Sequence, residues 1–475
     1  MQMARGCWLG CFRLLVLLVV WCLAGGRPLV VSAADGRWNV LFLMSDDLRP
    51  ELGCYGHPQV KSPAIDALAR SGVRFDRAYC QYPLCNPSRT SLLTGRYPTT
   101  TDVLDNRTWF GALHPDFVSL PRWFRDHGYA SLRCGKIFHG GIDDADAWTE
   151  GGEPRQFAGV TAPNPPNTQD RRSRSDRIVV LDGDGQDHVD YRTAERAIDY
   201  LRRYRDRPFF LACGFTKPHS PPTAPRRFFE WYEPERIPLP STFGPKAVAP
   251  LGHPAAAITP NGDLFIQRDA TPEEARLMIE AYWASVSWVD WNVGRVLAVL
   301  DELHLRQRTI VLFWGDHGYH LGEFGKWSKH GSLYELGTRV PLIISVPGME
   351  GNGGVVTRPV ESIDLYPTLC ALCGLECPPG LQGSSLVPLL RNPAAEWTKP
   401  AFSVAGNRQK LGVAVRTERF RYAEWNGGKD GEMLFDALHD PHEERNLAED
   451  PRYAEVKREL AKLVRNLPGV QREAP

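Results

Sequence analysis

The chain lacks an excess of charge of either sign, because its 56 Lys and Arg residues are matched by 56 Asp and Glu residues. Proteins that bind nucleic acid usually carry a clear basic excess, so we expect no nucleic-acid partner. Hydrophobic residues make up 43% of the 475 positions and charged residues 24%, which excludes a disordered chain and indicates a globular one. An anionic substrate would therefore have to be bound by a local cluster of basic side chains.

The apolar run at the N-terminus, from Leu14 to Ala24, is too short to span a bilayer comfortably. Arg5 and Arg13 precede this run, and small residues up to Ala34 follow it. This pattern is typical of a secretory signal peptide, which we assign to residues 1–34. We expect an exported protein, in a periplasmic, secreted or lysosome-like compartment, with no stable membrane span after cleavage. An uncleaved membrane anchor is the alternative.

Cysteine is sparse for an exported protein, since only eight cysteines remain after residue 34. That density excludes a small scaffold held together by disulfides. The spacing of Cys370, Cys373 and Cys377 could indicate a metal site, but no histidine or fourth cysteine follows at a matching spacing. The apolar neighbours fit the end of a helix. We therefore expect core residues or one disulfide here, with a zinc site as the alternative.

Strand-like and helix-like segments alternate along the chain, which predicts a mainly parallel sheet sandwiched by helices. The expected strands are apolar runs typical of buried parallel strands, and they occupy residues 38–45, 129–134, 208–215, 309–315 and 341–348. A helix is expected after Ser62 as the N-terminal cap, and a long helix after Thr271, which forms a capping box with Glu274.

The C-terminal part of the chain has a different pattern. After a boundary near residues 387–400, segments with alternating polarity predict antiparallel strands, and a charged helix over residues 454–467 closes the chain. We therefore predict an α/β catalytic domain over residues 35–395 and a smaller α+β subdomain over residues 396–475. The polar stretch between residues 151 and 187 predicts a surface loop, whose basic run 171–177 is either solvated or in contact with a polyanion.

Charged or imidazole side chains follow four of the predicted strands. In order along the chain, these pairs are Asp46 and Asp47, Lys136 and His139, Lys217 and His219, and Asp316 and His317. Ligands of open α/β sheets bind beyond the carboxyl ends of the strands, so we expect these side chains to gather there.

Asp46, Asp47 and Asp316 provide hard oxygen ligands, which calcium or magnesium prefers over zinc. Two adjacent aspartates cannot both be buried and ionised without a cation nearby. Arg89 and the lysines and histidines add positive charge beside this predicted metal. A metal together with basic side chains is typical of a site for an oxygen-rich anion such as sulfate or phosphate.

Cys85 precedes Pro87 and a segment that predicts a helix ending at Gly95. Its place at the helix N-terminus suits a nucleophile that must meet an anion. A thiolate is nevertheless a soft ligand beside a hard metal, and an exported thiol is prone to oxidation. From position alone, Cys85 could be a nucleophile, a metal ligand, half of a disulfide or a core residue.

The segment from Cys85 to Arg89, followed by Thr94 and Gly95, resembles the sulfatase signature C-x-P-S-R-x-x-x-x-T-G. The similarity continues through "CGKIFH", "FTKPHSP" and "GDHGYHLGEFGKWSKH", and it extends over about residues 38–447. It implies an alkaline-phosphatase-like fold and one calcium ion. It also implies that a formylglycine-generating enzyme converts Cys85 to formylglycine. The calcium ligands implied are Asp46, Asp47, Cys85 as formylglycine, Asp316 and His317.

The resemblance also implies roles for the catalytic residues. The formylglycine hydrate at position 85 would attack sulfur, with Arg89 favouring its ionised oxygen. Lys136 and Lys329 would neutralise the sulfate, with Lys217 a weaker candidate. His219 would protonate the leaving sugar oxygen, and His139 would orient the hydrate. Lys326 and His330 would be solvated or act indirectly.

Within the family, "GKIFH", "KPH" and the histidine after Asp316 are most similar to sulfatases of 2-O-sulfated iduronate. We therefore expect a sulfatase of a sulfated carbohydrate, of glycosaminoglycan type. The alternatives are a phosphomonoester or phosphonate monoester hydrolase of the same superfold, and an inactive homologue that binds carbohydrate.

Overall fold

The computed structural model describes residues 36–163 and 176–470. The predicted signal peptide and most of the basic run 171–177 lie outside these ranges. The strands are β1 (Asn39–Asp46), β2 (Val73–Tyr79), β3 (Ala130–Gly135), β4 (Val179–Leu181), β5 (Phe209–Pro218), β6 (Thr223–Pro225), β7 (Thr309–Gly315), β8 (Arg339–Ser345), β9 (Val355–Val356), β10 (Val360–Glu361), β11 (Ala401–Asn407), β12 (Lys410–Arg416), β13 (Phe420–Trp425) and β14 (Glu432–Asp436).

The helices are α1 (Pro63–Arg70), α2 (Cys85–Thr94), α3 (Pro98–Thr101), α4 (Phe110–Leu113), α5 (Leu120–Asp126), α6 (Val189–Tyr204), α7 (Arg226–Phe229), α8 (Pro272–Glu302), α9 (Glu335–Thr338), α10 (Leu365–Cys373), α11 (Val387–Arg391) and α12 (Ala454–Arg465). The 31-residue helix α8 begins with the predicted capping box of Thr271 and Glu274. In the part of the chain that the structure describes, no helix is both long and apolar enough to cross a membrane.

The central sheet has the strand order β10-β2-β8-β7-β1-β5-β3, with β9 paired to β2. The four strands β7, β1, β5 and β3 are adjacent and parallel. Strand β8 runs antiparallel to both of its neighbours, β7 and β2. The prediction of a mainly parallel sheet is therefore confirmed, with one antiparallel strand inside it.

Strand β1 is buried along its whole length because helices cover both faces of the sheet. Leu41 and Leu43 pack in a core with residues of α8, whereas Phe42 and Met44 pack in a second core with residues of α2 and α10. Alternating side chains of a strand point to opposite faces, so a continuous apolar run is what a strand between two helical layers requires.

Ser62 is the N-cap residue of α1, as predicted, but its side chain makes no capping hydrogen bond. The Ser62 hydroxyl donates a hydrogen bond to Asp66 Oδ1 at 2.9 Å. Asp290 of α8 accepts hydrogen bonds instead from the backbone N–H groups of Ala64 and Ile65, at 3.2 and 2.7 Å. The capping group therefore comes from a helix far along the chain, which a local capping pattern does not reveal.

Strands β11 to β14 form a separate antiparallel sheet, as predicted for the C-terminal part of the chain. Helix α12 packs on this sheet, and Leu460 and Val464 share a core with Val413, Val415 and Tyr422. The boundary between residues 395 and 396 remains a prediction, since contacts between the two parts are extensive.

Candidate active site

The predicted polar side chains meet at one edge of the central sheet. Asp46 is the last residue of β1, and Lys136, His219 and Asp316 each follow directly after β3, β5 and β7. These four strands are neighbours and parallel, so their carboxyl ends lie side by side. The arrangement brings four sequence-distant polar segments into one site.

Cys85 is the first residue of α2, and its side chain points into this site. Two hydrogen bonds anchor the start of the helix: the Asn86 backbone N–H donates to Asn106 Oδ1 at 2.9 Å, and the Asn86 side chain donates to the Thr108 carbonyl at 2.7 Å. Cys85 is almost fully buried, and its Sγ lies 3.4 Å from both Asp46 Oδ1 and His317 Nε2. The predicted nucleophile therefore faces the predicted metal ligands.

Four of the predicted metal ligands converge. One potential ligand atom from each of Asp46, Cys85, Asp316 and His317 lies within 4.8 Å of the other three. Asp47 is next to this group: its carboxylate Oδ1 lies 3.4 Å from His317 Nε2. It also forms a second set of possible ligands with Cys85 and His219.

The imidazole of His317 shows that this cluster suits a cation. Its Nδ1 lies 3.0 Å from the Gly318 carbonyl oxygen, which can only accept, so Nδ1 carries the proton. The lone pair of Nε2 then points at carboxylates, with Asp316 Oδ1 only 3.5 Å away. Such an arrangement needs a proton or a metal ion between these atoms. Although burial alone would lower it, the pKa of His317 is raised to about 10 by Asp316 and Cys85.

Burial makes the carboxylates of this cluster costly to ionise. It raises the pKa of Asp316 to about 7 even though Arg89 favours the charged form, and it raises the pKa of Asp47 as well. A divalent cation would stabilise these carboxylates in their charged state. The oxygen-rich donor set therefore fits a hard cation such as calcium.

Basic side chains surround the cluster. The Arg89 guanidinium is fully buried, and its Nε donates to Asp316 Oδ2 at 2.8 Å while one terminal nitrogen donates to the Ile137 carbonyl at 3.0 Å. Lys136 forms an ion pair with Asp46. Lys329 lies 3.0 Å from the Asp47 carboxylate. The three basic residues therefore enclose the carboxylate cluster at this edge of the sheet.

Asp263 also belongs to the site, although no sequence pattern predicted it. Its Oδ2 lies 3.1 Å from Lys329 Nζ, so Lys329 is held between Asp263 and Asp47. Lys329 opposes the burial cost of Asp263 and lowers its pKa. Asp263 lies in a loop and does not follow a strand, so the strand-end pattern does not include it. The need of a buried lysine for acidic partners could have indicated it, but burial of Lys329 is visible only in the fold.

The site strongly favours an anion at position 85. Burial would raise the pKa of the Cys85 thiol, but Lys136, Lys329 and His317 bring it well below the usual value. His139 contributes in the same direction, which places that imidazole near the Cys85 side chain. The positive potential that stabilises a thiolate would equally stabilise another anionic oxygen or sulfur centre at this position.

The side chain of His219 is partly exposed, with 31% of its surface accessible, whereas His317 is fully buried. Its Nδ1 lies 2.8 Å from the Ser220 carbonyl, and its Nε2 lies 3.9 Å from Asp47 Oδ2. Burial would lower its pKa, but Asp47 raises it overall. The ring therefore favours a protonated state, and its partly exposed side chain can present an N–H to a ligand at this edge of the sheet.

Three further candidates lie outside the reacting centre. Lys217 Nζ donates to the carbonyls of His219 and Pro221, at 2.7 and 2.9 Å, so it holds the loop that carries His219. Lys326 is fully buried against Thr259, to which it donates two hydrogen bonds of 2.8 Å, so of the two expected roles, solvated or acting indirectly, only the second fits. His330 is exposed.

The C-terminal cysteines lie at the end of α10, as the apolar pattern predicted. Cys370 is buried, Cys377 is exposed, and all three cysteines are free thiols. Within residues 36–163 and 176–470, the groups that could hold a metal do not include them, which argues against a zinc site.

The fold and the site define this chain as a member of the sulfatase family. The family described as Sulfatase matches residues 38–375, and the C-terminal region of N-sulphoglucosamine sulphohydrolase matches residues 322–469. The chain is 30% identical over 537 aligned residues to human iduronate 2-sulfatase, covering 93% of this chain and 96% of that protein. The predicted resemblance within the family is therefore confirmed, and the chain is a sulfuric ester hydrolase.

Solved structures agree with this assignment. A 2-O glycosaminoglycan sulfatase is 26% identical, with a TM-score of 0.68, and the match covers 90% of this chain and 91% of that one. A phosphonate monoester hydrolase from Silicibacter pomeroyi is 25% identical, with a TM-score of 0.70, and the match covers 90% and 94%. The predicted α/β fold with its smaller C-terminal sheet is confirmed.

Proposed function

We propose that the chain hydrolyses sulfate esters of a sulfated carbohydrate of the glycosaminoglycan type, with 2-O-sulfated iduronate as one candidate. The observation that carries this proposal is the position of Cys85, at the start of α2 between the carboxylate cluster and a ring of basic side chains. The names of two similar proteins, an iduronate 2-sulfatase and a 2-O glycosaminoglycan sulfatase, support the choice of substrate class.

The proposed site contains one calcium ion and a formylglycine made from Cys85. Asp46, Asp47, Asp316 and His317 would hold the ion together with the modified side chain. When bound, these groups would supply a hydrated aldehyde as nucleophile and a Lewis acid that favours its ionised oxygen. A hard ion suits the three carboxylates better than it suits a thiolate, which supports conversion of the cysteine.

The remaining residues would bind the sulfate and move protons. Lys136 and Lys329 would neutralise the sulfate oxygens when they turn from Asp46 and Asp47 to the substrate. His219, with its raised pKa, would donate a proton to the leaving sugar oxygen. His139 would take a proton from the group at position 85, since its imidazole lies near that side chain. Arg89, fixed by Asp316, would hold the nucleophile in line.

Phosphonate or phosphate monoester hydrolysis is the second candidate, because the phosphonate monoester hydrolase has an equally similar fold. Turnover of 4-nitrophenyl sulfate, 4-nitrophenyl phosphate and an aryl phosphonate monoester by the same preparation separates the two. We expect the sulfate ester to be preferred. A large preference for either phosphorus ester would contradict the proposal.

Conversion of Cys85 is tested separately from turnover. Protein made together with a formylglycine-generating enzyme should give a peptide containing position 85 that is lighter by about 18 Da, as expected when a thiol is replaced by an aldehyde. Elemental analysis of the same sample should find about one calcium per chain. An unmodified peptide in an active preparation would contradict the proposed nucleophile.

We also propose that the protein is exported, on the strength of the signal-peptide pattern in residues 1–34. Production of the full chain with a secretion-competent host and N-terminal sequencing of the mature protein tests this. Retention of residues 1–34 would favour an uncleaved anchor instead.

A further inference from the structure

A cavity of about 520 Å³ shares two residues with the candidate active site and extends along the outer edge of the central sheet. Lys136 and His139 line the part next to Cys85. Most of the rest of the lining comes from β3, from the segment around Gly151 and from the first turns of α6, with Thr216 of β5. The volume is typical of sites for small organic ligands.

The cavity wall carries more positive than negative charge. Its charged lining residues are Arg133, Lys136, Glu153, Arg192 and Arg196. Two of the basic residues have acidic partners: Arg133 contacts Glu153 at 2.9 Å, and Lys136 pairs with Asp46. Arg192 and Arg196 have no carboxylate partner among the residues that the structure describes. Arg192 donates one hydrogen bond to the Asp187 backbone carbonyl, which leaves its charge uncompensated. Two positive charges are therefore left for a ligand.

Arg192 and Arg196 are placed to act together. They lie four positions apart on α6, so they project from the same face of the helix, and both are exposed to the cavity. The nearby carboxylate of Glu150 is engaged by Arg203 through two contacts of 2.8 Å, and so it does not neutralise Arg196 directly. A pair of guanidinium groups on one face is suited to bidentate binding of a planar or tetrahedral oxyanion.

Glycine keeps the floor of the cavity open. A Cβ at Gly135 would lie 2.0 Å from the Gly214 carbonyl oxygen, and a Cβ at Gly151 would lie 2.0 Å from the Arg133 carbonyl oxygen. Both residues also have positive φ, which other residues rarely adopt. These two glycines let the edge strand and the following segment pack closely beneath the arginines, so the geometry of the cavity is built into the fold.

We propose that this cavity binds a second anionic group of the substrate, a carboxylate or a further sulfate, and that Arg192 and Arg196 are its ligands. This inference rests on the proposed sulfatase function, because the first anionic group is the sulfate ester that lies against Cys85. Lys136 and His139 contribute to both sites, and so the two groups would belong to one molecule. The enzyme would then prefer substrates with at least two negative groups over simple sulfate monoesters.

The first test compares substrates. The specificity constant kcat/KM is measured for 4-nitrophenyl sulfate, for a disaccharide with one sulfate ester and one uronate carboxylate, and for a disaccharide with two sulfates and no carboxylate. The variant is Arg192→Gln with Arg196→Gln, and the matched control is Arg202→Gln, an exposed arginine of the same helix outside the cavity.

We expect the ratio of kcat/KM for a dianionic disaccharide to that for the aryl sulfate to fall about 100-fold in the double variant, about tenfold for each lost charged hydrogen bond. The control should keep the wild-type ratio. The disaccharide that shows the fall identifies the second group as carboxylate or sulfate. If the ratio changes less than about twofold for both disaccharides, the two arginines do not select the substrate and the proposal is wrong.

A binding experiment separates failure of this proposal from failure of the proposed function. Titration calorimetry measures the binding of two ligands without the hydrolysable sulfate ester: the uronate disaccharide with only its carboxylate, and the second disaccharide with only one remaining sulfate. Each is titrated into the wild type, the double variant and the Arg202→Gln control. If no sulfate ester is hydrolysed, the proposed function fails, but loss of binding in the double variant alone would still support the cavity as an anion site. Equal binding by all three proteins would overturn it.

Discussion

The sheet edge around Cys85 and the contact between α9 and the C-terminal sheet both bury several charges, yet they are built differently. At the second place, Arg421 lies 2.7 Å from Glu443 Oε1 and also contacts Glu335, while Arg416 lies 3.4 Å from Glu335. Two acids are thus matched by two buried arginines, and the partly exposed Arg339 lies 3.9 Å from Glu335. Hydrogen bonds from the Tyr79 hydroxyl to Glu335 and from the Glu335 backbone N–H to Glu443 complete the cluster.

The sheet edge is not matched in this way. It contains four carboxylates, those of Asp46, Asp47, Asp263 and Asp316, against three charged bases, Arg89, Lys136 and Lys329. Two histidines with raised pKa values, His219 and His317, supply further positive charge. Several of these side chains are also possible metal ligands. Buried charge alone is therefore a poor sign of function. Converging ligand atoms, an unbalanced charge and a neighbouring cavity distinguish the site from a structural cluster.

The largest difference between the two regions is expected for Cys85→Ala, which should abolish activity with little effect on stability. We expect kcat/KM for 4-nitrophenyl sulfate to fall by at least about 10⁴-fold, because the nucleophile is lost, as measured by initial rates. The free energy of unfolding should change little, because the side chain is small and belongs to a charged site. The control is Cys373→Ala, a half-buried cysteine at the end of α10, which should retain activity. Residual turnover near the wild-type rate would refute the assignment of the nucleophile.

In the cluster around Arg421, a substitution should reduce stability and leave activity unchanged. Arg421→Leu leaves Glu335 and Glu443 buried without their partner, so the free energy of unfolding should fall by about 3–5 kcal/mol in urea titrations. The turnover of the molecules that remain folded should not change. Arg419→Leu is the control, since Arg419 pairs with Asp436 at the surface, and it should lower the free energy of unfolding far less. Similar decreases in the free energy of unfolding for both variants would show that the buried cluster contributes no more to stability than a surface ion pair does.

The parts of the site that follow strands could be predicted from the sequence. Apolar runs such as the one before Asp46 predicted buried parallel strands, and the ends of parallel strands meet at one edge. Cys85, Asp316 and His317 were found by this reasoning together with the signature of the family. Their convergence is observed, whereas their catalytic roles are still proposals.

Other features depend on contacts between distant segments, which no local pattern records. Asp263 reaches Lys329 from a loop, and Asp290 caps α1 from another helix. The partners of Arg421 come from α9 and from the loop after β14. A sequence shows that such residues are charged, but only the fold shows whether they have partners.

An intermediate effect is expected at Asp263, where structural pairing and function meet. In Asp263→Asn, Lys329 keeps only Asp47 as an acidic partner, so its ammonium should move away from the sulfate position. We expect kcat to fall about 10- to 100-fold, as is typical when a catalytic group is displaced by about 1 Å. Asp269→Asn, an exposed position of the same loop, is the control. If KM rises and kcat stays constant, Asp263 acts on substrate binding and does not position Lys329.

The smallest effect concerns a second buried acidic pair at the seam with the C-terminal sheet, Glu361 and Asp364. Burial and then Asp364 raise the pKa of Glu361 from 4.5 to about 8, and burial raises that of Asp364 from 3.8 to about 6. Tyr97 and the Phe402 backbone N–H donate to the Glu361 carboxylate at 2.7 and 2.9 Å, which partly offsets burial.

An acid whose pKa is raised by folding stabilises the fold while it is protonated in the folded state. That contribution is fully present below the unfolded pKa and is lost as the pH rises through the folded pKa. The free energy of unfolding should therefore decrease between pH 5 and pH 8, with Glu361 contributing up to about 1.4 kcal/mol for each pH unit. Glu361→Gln should flatten the decrease in urea titrations at several pH values, whereas Glu350→Gln, at an exposed position, should not. If the free energy of unfolding of Glu361→Gln depends on pH as strongly as that of the wild type, Glu361 is ionised in the folded protein. Charged hydrogen bonds would then stabilise this contact, as they do in the cluster around Arg421.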